Sequence, residues 1–448
     1  MKPHNKLIIV SNRLPITIEV SNENDIIYIQ SSGGLISGIT PFISPDTIWI
    51  GWPGISKDLL SKGQVESITS YLSSMGMIPV FLNGKQIEKY YNGFCNSVLW
   101  PQLHNRNIFC QKNKVNEYKK YYKRVNILFT KKILKTLSSN NATIWIHDYH
   151  LLLVPSLLQK FNVQSGFFLH TTFPHTKPNM TFFNLAKKLS SIRLVAFQTN
   201  RDAENFNFMI NGKNRQNAKN ILVDPIGINY EDFKKDIKSQ KIFNACKMIL
   251  TVDRLDPCKS ITDRIQAFQL LIENNQSTIG NVKMHVLAVP SREDVDEYRK
   301  ERCKVELLIK SINDKYGTKS WIPITYQYKC LDKTSLLKLY SLADIALICP
   351  PFDGMNLVAK EFVAVNNQKP KALILSSGVG ASKQLKDAYI VEEYSINNIY
   401  LSLLTAINAS PVELLSRMNK MNSNVKKFTS QWWGKKFLHA YDDRKTPR

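Results

Sequence analysis

The sequence predicts an α/β protein built from two doubly wound, Rossmann-like domains that face one cleft. Short apolar runs typical of strands alternate with helical stretches through both halves of the chain. At 448 residues the chain is too long for one core and suggests two domains. We expect an N-terminal domain at residues 1–230, a C-terminal domain at 231–425, and a tail at 426–448 that docks on the N-terminal domain.

The composition is that of an ordinary globular protein, with 43% hydrophobic and 21% charged residues. No apolar run is long enough to cross a bilayer, and the first residues lead directly into a strand, so we expect a cytoplasmic protein without a membrane partner. The seven cysteines are scattered and lack metal-ligand spacing, which is typical of reduced thiols.

A net charge of +24 raises the question of nucleic-acid binding, because basic surfaces attract phosphates. The basic residues, however, occur in dispersed clusters such as Lys119–Arg124 and Lys213–Asn217, and none completes a nucleic-acid motif. We therefore expect small phosphorylated ligands and no nucleic acid.

In the first half, the β-branched run Lys6–Val10 ends in turn residues that bring Arg13 to the carboxyl edge of a sheet. The pair Gly33-Gly34 can bring bare backbone close to a phosphate, although most such pairs are simple turns. Aromatic residues lie among turn formers at Trp49–Gly54 and Tyr90–Pro101. Such residues suit sugar faces, while core packing is the commoner role for any one of them.

Two further strands end in ionisable residues: Ile144–Ile146 leads into His147–His150, and Gly166–Leu169 leads into His170. Two histidines and Asp148 raise the question of zinc, but the spacing fits no helical zinc motif and lacks a third ligand pattern. We expect no metal. The polar segment Tyr230–Phe243 is typical of a connection between domains.

In the second half, the strand Lys247–Val252 is followed by Arg254 and Lys259. An arginine can bind a phosphate through two N–H groups at once, and a lysine supplies a flexible point charge, so the pair suits a phosphate ligand. The strand Val282–Val289 leads to Arg292. The neighbouring Asp294-Val295-Asp296 matches a metal-binding dyad, but a solvated helix start explains it better.

The segment Asp344–Val363 reads as a strand, a two-proline break and a helix opened by Asp353-Gly354. Backbone N–H groups from Gly354 onward can bind a diphosphate without a metal, because the first helical turn leaves its donors unpaired. Glu361 lies where it can accept hydrogen bonds from ribose hydroxyls. From spacing alone, a capping Asp353 with a solvated Glu361 is an equally good interpretation. Further along, the strand Lys371–Leu375 ends in a second glycine loop, Ser376–Ala381.

These motifs together resemble the trehalose-6-phosphate synthase family, in the family's order along most of the chain. The segments that carry the resemblance are Ser11–Pro15, Gly33–Leu35, Trp49–Trp52, Asn96–Pro101, His147–Leu151, Gly166–His170, Val252–Asp256 with Lys259, and Asp353–Val363. The resemblance implies a GT-B glycosyltransferase that moves glucose from UDP-glucose to glucose 6-phosphate with retention, giving α,α-trehalose 6-phosphate and UDP. It implies no cofactor.

The resemblance also implies roles for individual residues. The donor UDP-glucose would be bound by Gly34, Arg254, Lys259, Gly354, Met355, Asn356, Leu357, Val358 and Glu361. The acceptor glucose 6-phosphate would be bound by Arg13, Tyr91, Trp100, Asp148 and Arg292. Asp148, His170 and Asp353 would act at the reaction centre. The chain departs from the family at Phe352, where arginine is usual, and at Ser377-Gly378, where Glu-Phe is usual.

The alternative is a homologue with little activity that serves as a regulatory subunit. Such a scaffold should have lost several of the principal ligands, whereas this chain keeps all five: Arg13, Asp148, Arg254, Lys259 and Asp353. The sequence leaves open whether the chain forms homo-oligomers and which nucleotide it prefers.

Overall fold

The computed structural model describes residues 6–30, 34–137, 142–175, 180–212, 220–234, 246–365 and 369–444. The chain forms two compact units: Met1–Ile226 with Trp433–Arg448, and Gly227–Trp432. The domain bounds expected from the sequence stay a prediction. Gly33, the basic cluster Lys213–Asn217 and the connecting segment from residue 235 to Phe243 lie outside the described residues.

In the described part of the first unit, seven parallel strands form one sheet in the order β5-β4-β1-β6-β7-β8-β9. A separate antiparallel hairpin pairs β2 with β3. The strands are β1 Leu7–Arg13, β2 Ile16–Val20, β3 Ile26–Gln30, β4 Ile48–Trp52, β5 Met77–Pro79, β6 Thr143–His147, β7 Gly166–Phe168, β8 Leu194–Phe197 and β9 Ile221–Val223. All residues of β6 and β8 are buried, as expected for a parallel sheet covered on both faces.

The α-helices of this unit flank the sheet. They are α1 Gly34–Ile39, α2 Lys62–Ser74, α3 Gly84–Gln86, α4 Trp100–Leu103, α5 Val115–Thr136, α6 Val154–Gln159, α7 Met180–Lys187 and α8 Asn200–Asn211. Helix α2 begins with a capping box, in which the Ser61 hydroxyl and the Gln64 side chain bind each other's backbone N–H groups.

A π-helix, Ile87–Leu99, joins α3 to α4. Helix α5 packs along it, and the rings of Phe94 and Tyr122 lie 4.7 Å apart. Gly93 permits this approach, since a Cβ there would lie 2.8 Å from the ring of Tyr118. The sequence indicated aromatic residues among turn formers here and gave no sign of a helix. The π-helix is rare in proteins and occurs mostly as single-turn bulges, which are frequent at functional sites.

In the described part of the second unit, six parallel strands follow the order β12-β11-β10-β13-β14-β15. The strands are β10 Lys247–Arg254, β11 Val282–Val289, β12 Ile324–Tyr328, β13 Ile345–Ile348, β14 Ala372–Ser376 and β15 Tyr389–Val391. The helices are α9 Ile261–Asn274, α10 Asp296–Tyr316, α11 Lys333–Leu342, α12 Leu357–Ala364, α13 Ile396–Asn408 and α14 Pro411–Lys427. The apolar core between these layers includes Phe268, Met284, Leu347, Ile374 and Leu403.

The C-terminal helix, α15 Ser430–Asp443, packs on the sheet of the first unit from Trp433 onward. Trp433 is fully buried, and its ring lies 4.8 Å from that of Trp145 on β6. Phe437 stacks on Trp145 at 4.2 Å. The aromatic residues of the tail thus contribute to the N-terminal core.

The prediction of two Rossmann-like domains with parallel sheets is confirmed. Strands β5, β12 and β15 are short or partly polar, and the sequence patterns did not predict them. Helix α10 begins at Asp296. The segment Asp294–Asp296 therefore lies at the start of a helix, as we expected when we preferred that interpretation to a metal-binding dyad.

No single helix in the described ranges is long and apolar enough to span a membrane. Helices α13 and α14 reach the required length and hydropathy only as a pair, and a bend of 112° separates them.

Candidate active site

The carboxyl edge of the second sheet brings together four loops that the sequence singled out. Strand β10 lies between β11 and β13 in parallel register, and β14 lies beside β13. The segments that follow these strands therefore emerge at one edge, where open α/β sheets bind ligands. They carry Arg254, Lys259, Arg292 and Asp353, together with the second glycine loop.

Lys259 and Asp353 form a buried ion pair at this edge. The Nζ atom of Lys259 lies 2.6 Å from Oδ2 of Asp353, and the two residues are 5% and 6% exposed. A second carboxylate, that of Asp253, lies 3.8 Å from the same Nζ. Burial of a lone charge is costly, so each partner offsets the cost of burying the other.

Arg264, which the sequence patterns did not single out, holds the residues around this pair in place. Its side chain is fully buried in α9 and donates to the Asp253 carboxylate at 2.6 Å. It also donates to the backbone carbonyl of Lys259 at 2.8 Å. A signal was present in the sequence, because Arg264 lies on the apolar face of α9 beside Ile261 and Ile265, where a solvated arginine would not be expected.

The predicted start of the donor helix is wrong. Helix α12 begins at Leu357, and its cap is Asn356, which has a left-handed φ of 56° and accepts from the amide of Ala359. Asp353 lies before the helix, where its carboxylate accepts from the side-chain amide of Asn356 at 2.9 Å. The amide of Gly354 also donates to Asp353 at 2.9 Å, so the first-turn donors of the helix begin at Leu357 rather than at Gly354.

The helix starts late because the segment before α12 pairs with the second glycine loop. The amide of Gly380 donates to the carbonyl of Gly354 at 2.7 Å, and that of Ala381 donates to Met355 at 3.0 Å. A Cβ on Gly380 would lie 2.4 Å from the carbonyl oxygen of Gly354. The second glycine loop therefore holds the segment before α12 in an extended shape, and its glycines serve that close approach.

Glu361 lies on α12, half-buried, and accepts a hydrogen bond from the Tyr340 hydroxyl at 2.9 Å. Burial raises the pKa of Glu361 above its ordinary value, and the bond from Tyr340 offsets part of that rise. Leu357 and Val358 are half-exposed in the first turn of α12, whereas Met355 is buried. Glu361 is thus only partly exposed, and among the described residues no cation lies within hydrogen-bond distance of its carboxylate.

Arg254 and Arg292 differ in their surroundings. Arg254 is exposed at the end of β10. Arg292 has a left-handed φ of 50°, and its guanidinium contacts the carboxylate of Asp256 at 3.2 Å and the hydroxyl of Tyr298. The assignment of Arg292 to the acceptor site together with Arg13 stays a prediction; the two residues belong to different compact units.

In the first unit, Arg13 is the last residue of β1, and its side chain lies between the ring of Trp52 and the backbone of Gly54. Its guanidinium is 4.7 Å from the ring centroid of Trp52 and donates to the Thr17 hydroxyl at 2.8 Å. A Cβ on Gly54 would lie 2.2 Å from the Arg13 guanidinium, so only glycine leaves room for it. Burial lowers the pKa of Arg13 from its ordinary value. Its Nε has no hydrogen-bond partner among the described residues.

Ring contacts connect Trp52 to His150 through Tyr91. Tyr91, on the π-helix, lies edge-on to Trp52 at 5.6 Å and stacks on His150 at 5.9 Å. The Nδ1 of His150 is 3.9 Å from the carboxylate of Asp148. Trp100 is 5% exposed, and its ring packs on that of Tyr149 at 5.6 Å.

Asp148 is held in a strained backbone conformation, with a φ of 74° and a ψ of 166°. Its amide donates to the carbonyl of Phe168 at 2.8 Å, and its carboxylate accepts from the amide of His170 at 3.2 Å. This double contact ties the loops after β6 and β7 together and fixes the direction of the carboxylate. The strain is typical of a functional position.

His170 faces His147, with 3.0 Å between Nε2 of His170 and Nδ1 of His147. Burial lowers the pKa of His170 to about 3. Burial and then the neighbouring ring lower the pKa of His147 well below its ordinary value. Both rings are therefore neutral near pH 7, and one donates to the other. Trp433 of the tail lies edge-on to His170 at 5.9 Å.

The predicted residues thus form two groups. Arg13, Tyr91, Trp100, Asp148 and His170 lie in the first unit, and Arg254, Lys259, Arg292, Asp353 and the residues of α12 lie in the second. Gly34 begins α1 in the first unit. In the described ranges, no three His, Cys, Asp or Glu side chains are grouped to hold a metal ion.

The glycosyltransferase family 20 model matches residues 5–443. The 56 kDa subunit of the UDP-forming α,α-trehalose-phosphate synthase of Saccharomyces cerevisiae is 33% identical, over 97% of this chain and 93% of that protein. A structure from E. coli bound with UDP-2-fluoro glucose has a TM-score of 0.83 and 29% identity, covering 99% of both chains. A UDP-forming synthase from Burkholderia xenovorans in complex with glucose-6-phosphate has a TM-score of 0.82 and 26% identity, over 98% of this chain and 100% of that one. The chain belongs to glycosyltransferase family 20.

Proposed function

We propose that this protein transfers the glucosyl group of UDP-glucose to glucose 6-phosphate with retention, forming α,α-trehalose 6-phosphate and UDP. The observation that carries the proposal is the buried contact between Lys259 and Asp353, 2.6 Å apart at the carboxyl edge of the second sheet. It joins the residue assigned to the diphosphate with the residue assigned to the donor sugar.

On the donor side, the diphosphate would be bound by Lys259 and Arg254, and the ribose hydroxyls by Glu361. Negative charge grows on the diphosphate as the bond to the anomeric carbon breaks. A fixed lysine and the first-turn amides of α12, which begins at Leu357, stabilise that charge more in the transition state than in the ground state. Asp353 keeps Lys259 in place and accepts from sugar hydroxyls.

On the acceptor side, the phosphate of glucose 6-phosphate would be bound by Arg13. Its guanidinium is held by Trp52 and Thr17, and its Nε is a buried donor that no described residue uses. Asp148 would orient the acceptor sugar, since its carboxylate is fixed by the amide of His170. Tyr91 and His150 supply stacked rings beside it.

Retention follows from a front-face exchange. The bond between the anomeric carbon and the phosphate oxygen breaks as the acceptor hydroxyl oxygen approaches from the same side. The acceptor proton passes to the departing phosphate oxygen, so no protein nucleophile is required. The imidazole of His170, kept neutral by burial, lies beside the sugar without adding a positive charge. A retaining hydrolase would instead need two carboxylates about 5 Å apart.

Metal independence and a cytoplasmic location belong to the same proposal. The role that a metal would have at the diphosphate falls to Lys259 and Arg254. No disulfide joins the described cysteines, which suits a reducing compartment. Unchanged activity in excess EDTA and microscopy of a fluorescent fusion would test these two statements.

The transfer itself is tested by incubating the purified protein with UDP-glucose labelled with ¹³C at the anomeric carbon and with glucose 6-phosphate. We expect a ¹³C resonance with the α-anomeric coupling of an α,α-linked disaccharide phosphate. Appearance of labelled glucose in place of the disaccharide would indicate a hydrolase and would overturn the proposal. Recovery of unchanged UDP-glucose would favour a homologue without activity.

A further inference from the structure

Tyr340 is a buried hydroxyl donor that the proposed mechanism does not use. It lies on α11, its side chain is fully buried, and its hydroxyl donates to Oε2 of Glu361 at 2.9 Å. Among the described residues, Tyr340 is the one donor to the Glu361 carboxylate.

The position of Tyr340 is itself fixed from two sides. Its backbone carbonyl accepts from the Nζ atom of Lys371 at 2.9 Å, and Lys371 is 1% exposed. The same Nζ donates to the carbonyl of Val365 at 3.3 Å, directly after the last turn of α12. The ring of Tyr340 lies edge-on to Phe362 at 6.3 Å. Helices α11 and α12 are thus held in register around the Tyr340–Glu361 bond.

We propose that Tyr340 is a positioning residue that orients the Glu361 carboxylate toward a ribose diol and so makes the site selective for ribonucleotides. The inference rests on the proposed function, in which Glu361 binds the ribose of UDP-glucose.

The chemistry requires an oriented, ionised carboxylate. A ribose offers two hydroxyl donors, and only an ionised carboxylate accepts from both with its two oxygens. Burial raises the pKa of Glu361, and the bond from Tyr340 opposes that rise. A hydroxyl donor at Oε2 also stops rotation of the carboxylate, so that Oε1 keeps one direction. A site built in this way disfavours a sugar that lacks the hydroxyls, because the Glu361 carboxylate then loses the hydrogen bonds that the hydroxyls would donate.

The test is calorimetric titration with two probes, UDP and 2′,3′-dideoxy-UDP. We expect the parent protein to bind UDP at least about tenfold more tightly than the dideoxy analogue, and Tyr340→Phe to weaken UDP binding by about tenfold, the usual loss for a hydrogen bond to a charged group. Affinity for the analogue should stay within about twofold. In a Glu361→Ala background, Tyr340→Phe should have no further effect on UDP.

Tyr389→Phe is the matched control, since it removes a tyrosine hydroxyl that donates to Glu413 at 3.0 Å in the same unit. It should leave both affinities unchanged. If Tyr340→Phe weakens both probes equally, Tyr340 has only a structural role and the inference is overturned while the proposed function stands. If the parent protein fails to bind UDP, the donor site itself is wrong, and the proposed function fails with the inference.

Discussion

The ammonium group of Lys259 lies 2.6 Å from the carboxylate of Asp353, although 94 positions separate the two residues in the chain. One follows β10 and the other follows β13, and the parallel register of these strands brings them together. The contact is buried, so each side chain holds the other in one direction. The proposed donor site is organised around this pair.

Lys259→Met should reduce turnover at least about 100-fold, the usual loss when a group that stabilises developing charge is removed. It should also lower the free energy of unfolding by about 3–5 kcal/mol, because the carboxylate of Asp353 is left buried without its cation. Denaturant unfolding and the rate of UDP release are the two measurements.

The double variant Lys259→Met/Asp353→Asn is the control for this pair. It should recover much of the lost stability and none of the activity, since the unpaired charge is gone but the diphosphate ligand is still missing. Equal unfolding free energies for the parent protein and Lys259→Met would show that the buried pair does not exist in solution.

Arg254→Ala should behave differently, because Arg254 is exposed at the end of β10. We expect unfolding free energy to change by less than about 0.5 kcal/mol, as for most surface substitutions, while turnover is abolished. Arg299→Ala, which removes an exposed arginine that contacts Asp296 on α10, should change neither property. Equal rates for Arg254→Ala and the parent protein would refute the assignment of Arg254 to the diphosphate.

Gly380→Ala should distort the donor site through the loop before α12. The added Cβ would lie 2.4 Å from the carbonyl of Gly354, so one loop has to move, at a cost of about 1–3 kcal/mol in stability. We expect a raised KM for UDP-glucose and an unchanged KM for glucose 6-phosphate. Gly63→Ala in α2 is the control: a Cβ there meets no atom within 4 Å, and helix propensity should leave stability equal or up to about 1 kcal/mol higher.

The stability of the protein should fall as the pH decreases from about 6.5 toward 3, in part because of His170. Its pKa is about 3 in the folded protein and about 6.5 in an unfolded chain, so between these values the unfolded state binds more protons. His147 acts in the same direction. Thermal unfolding of His170→Asn between pH 7 and 4 should show a shallower loss of Tm than the parent protein. A loss of Tm in His170→Asn as steep as that of the parent protein would contradict the assignment.

The sequence was sufficient to predict the two parallel sheets and the residues at their strand ends. Runs such as Ile345–Ile348 are apolar at every position, and a run of that kind that ends in prolines or charges indicates both a buried strand and its ligand-binding end. Arg254, Lys259 and Asp353 were found in this way, and each lies at the expected edge.

The contacts between distant segments could not be predicted. The start of α12 depends on a loop 26 residues further along, since the amide of Gly380 binds the carbonyl of Gly354 and the helix cap is Asn356 rather than Asp353. The support of Lys259 by Arg264 and the π-helix Ile87–Leu99 likewise depend on tertiary packing that local patterns do not record.

The most direct test of the central claim is the rate of UDP release from UDP-glucose, measured with and without glucose 6-phosphate. The proposed function predicts rapid release that requires the acceptor sugar phosphate and that disappears in Lys259→Met/Asp353→Asn. Release at the same rate without glucose 6-phosphate, or undiminished release by the double variant, would contradict it.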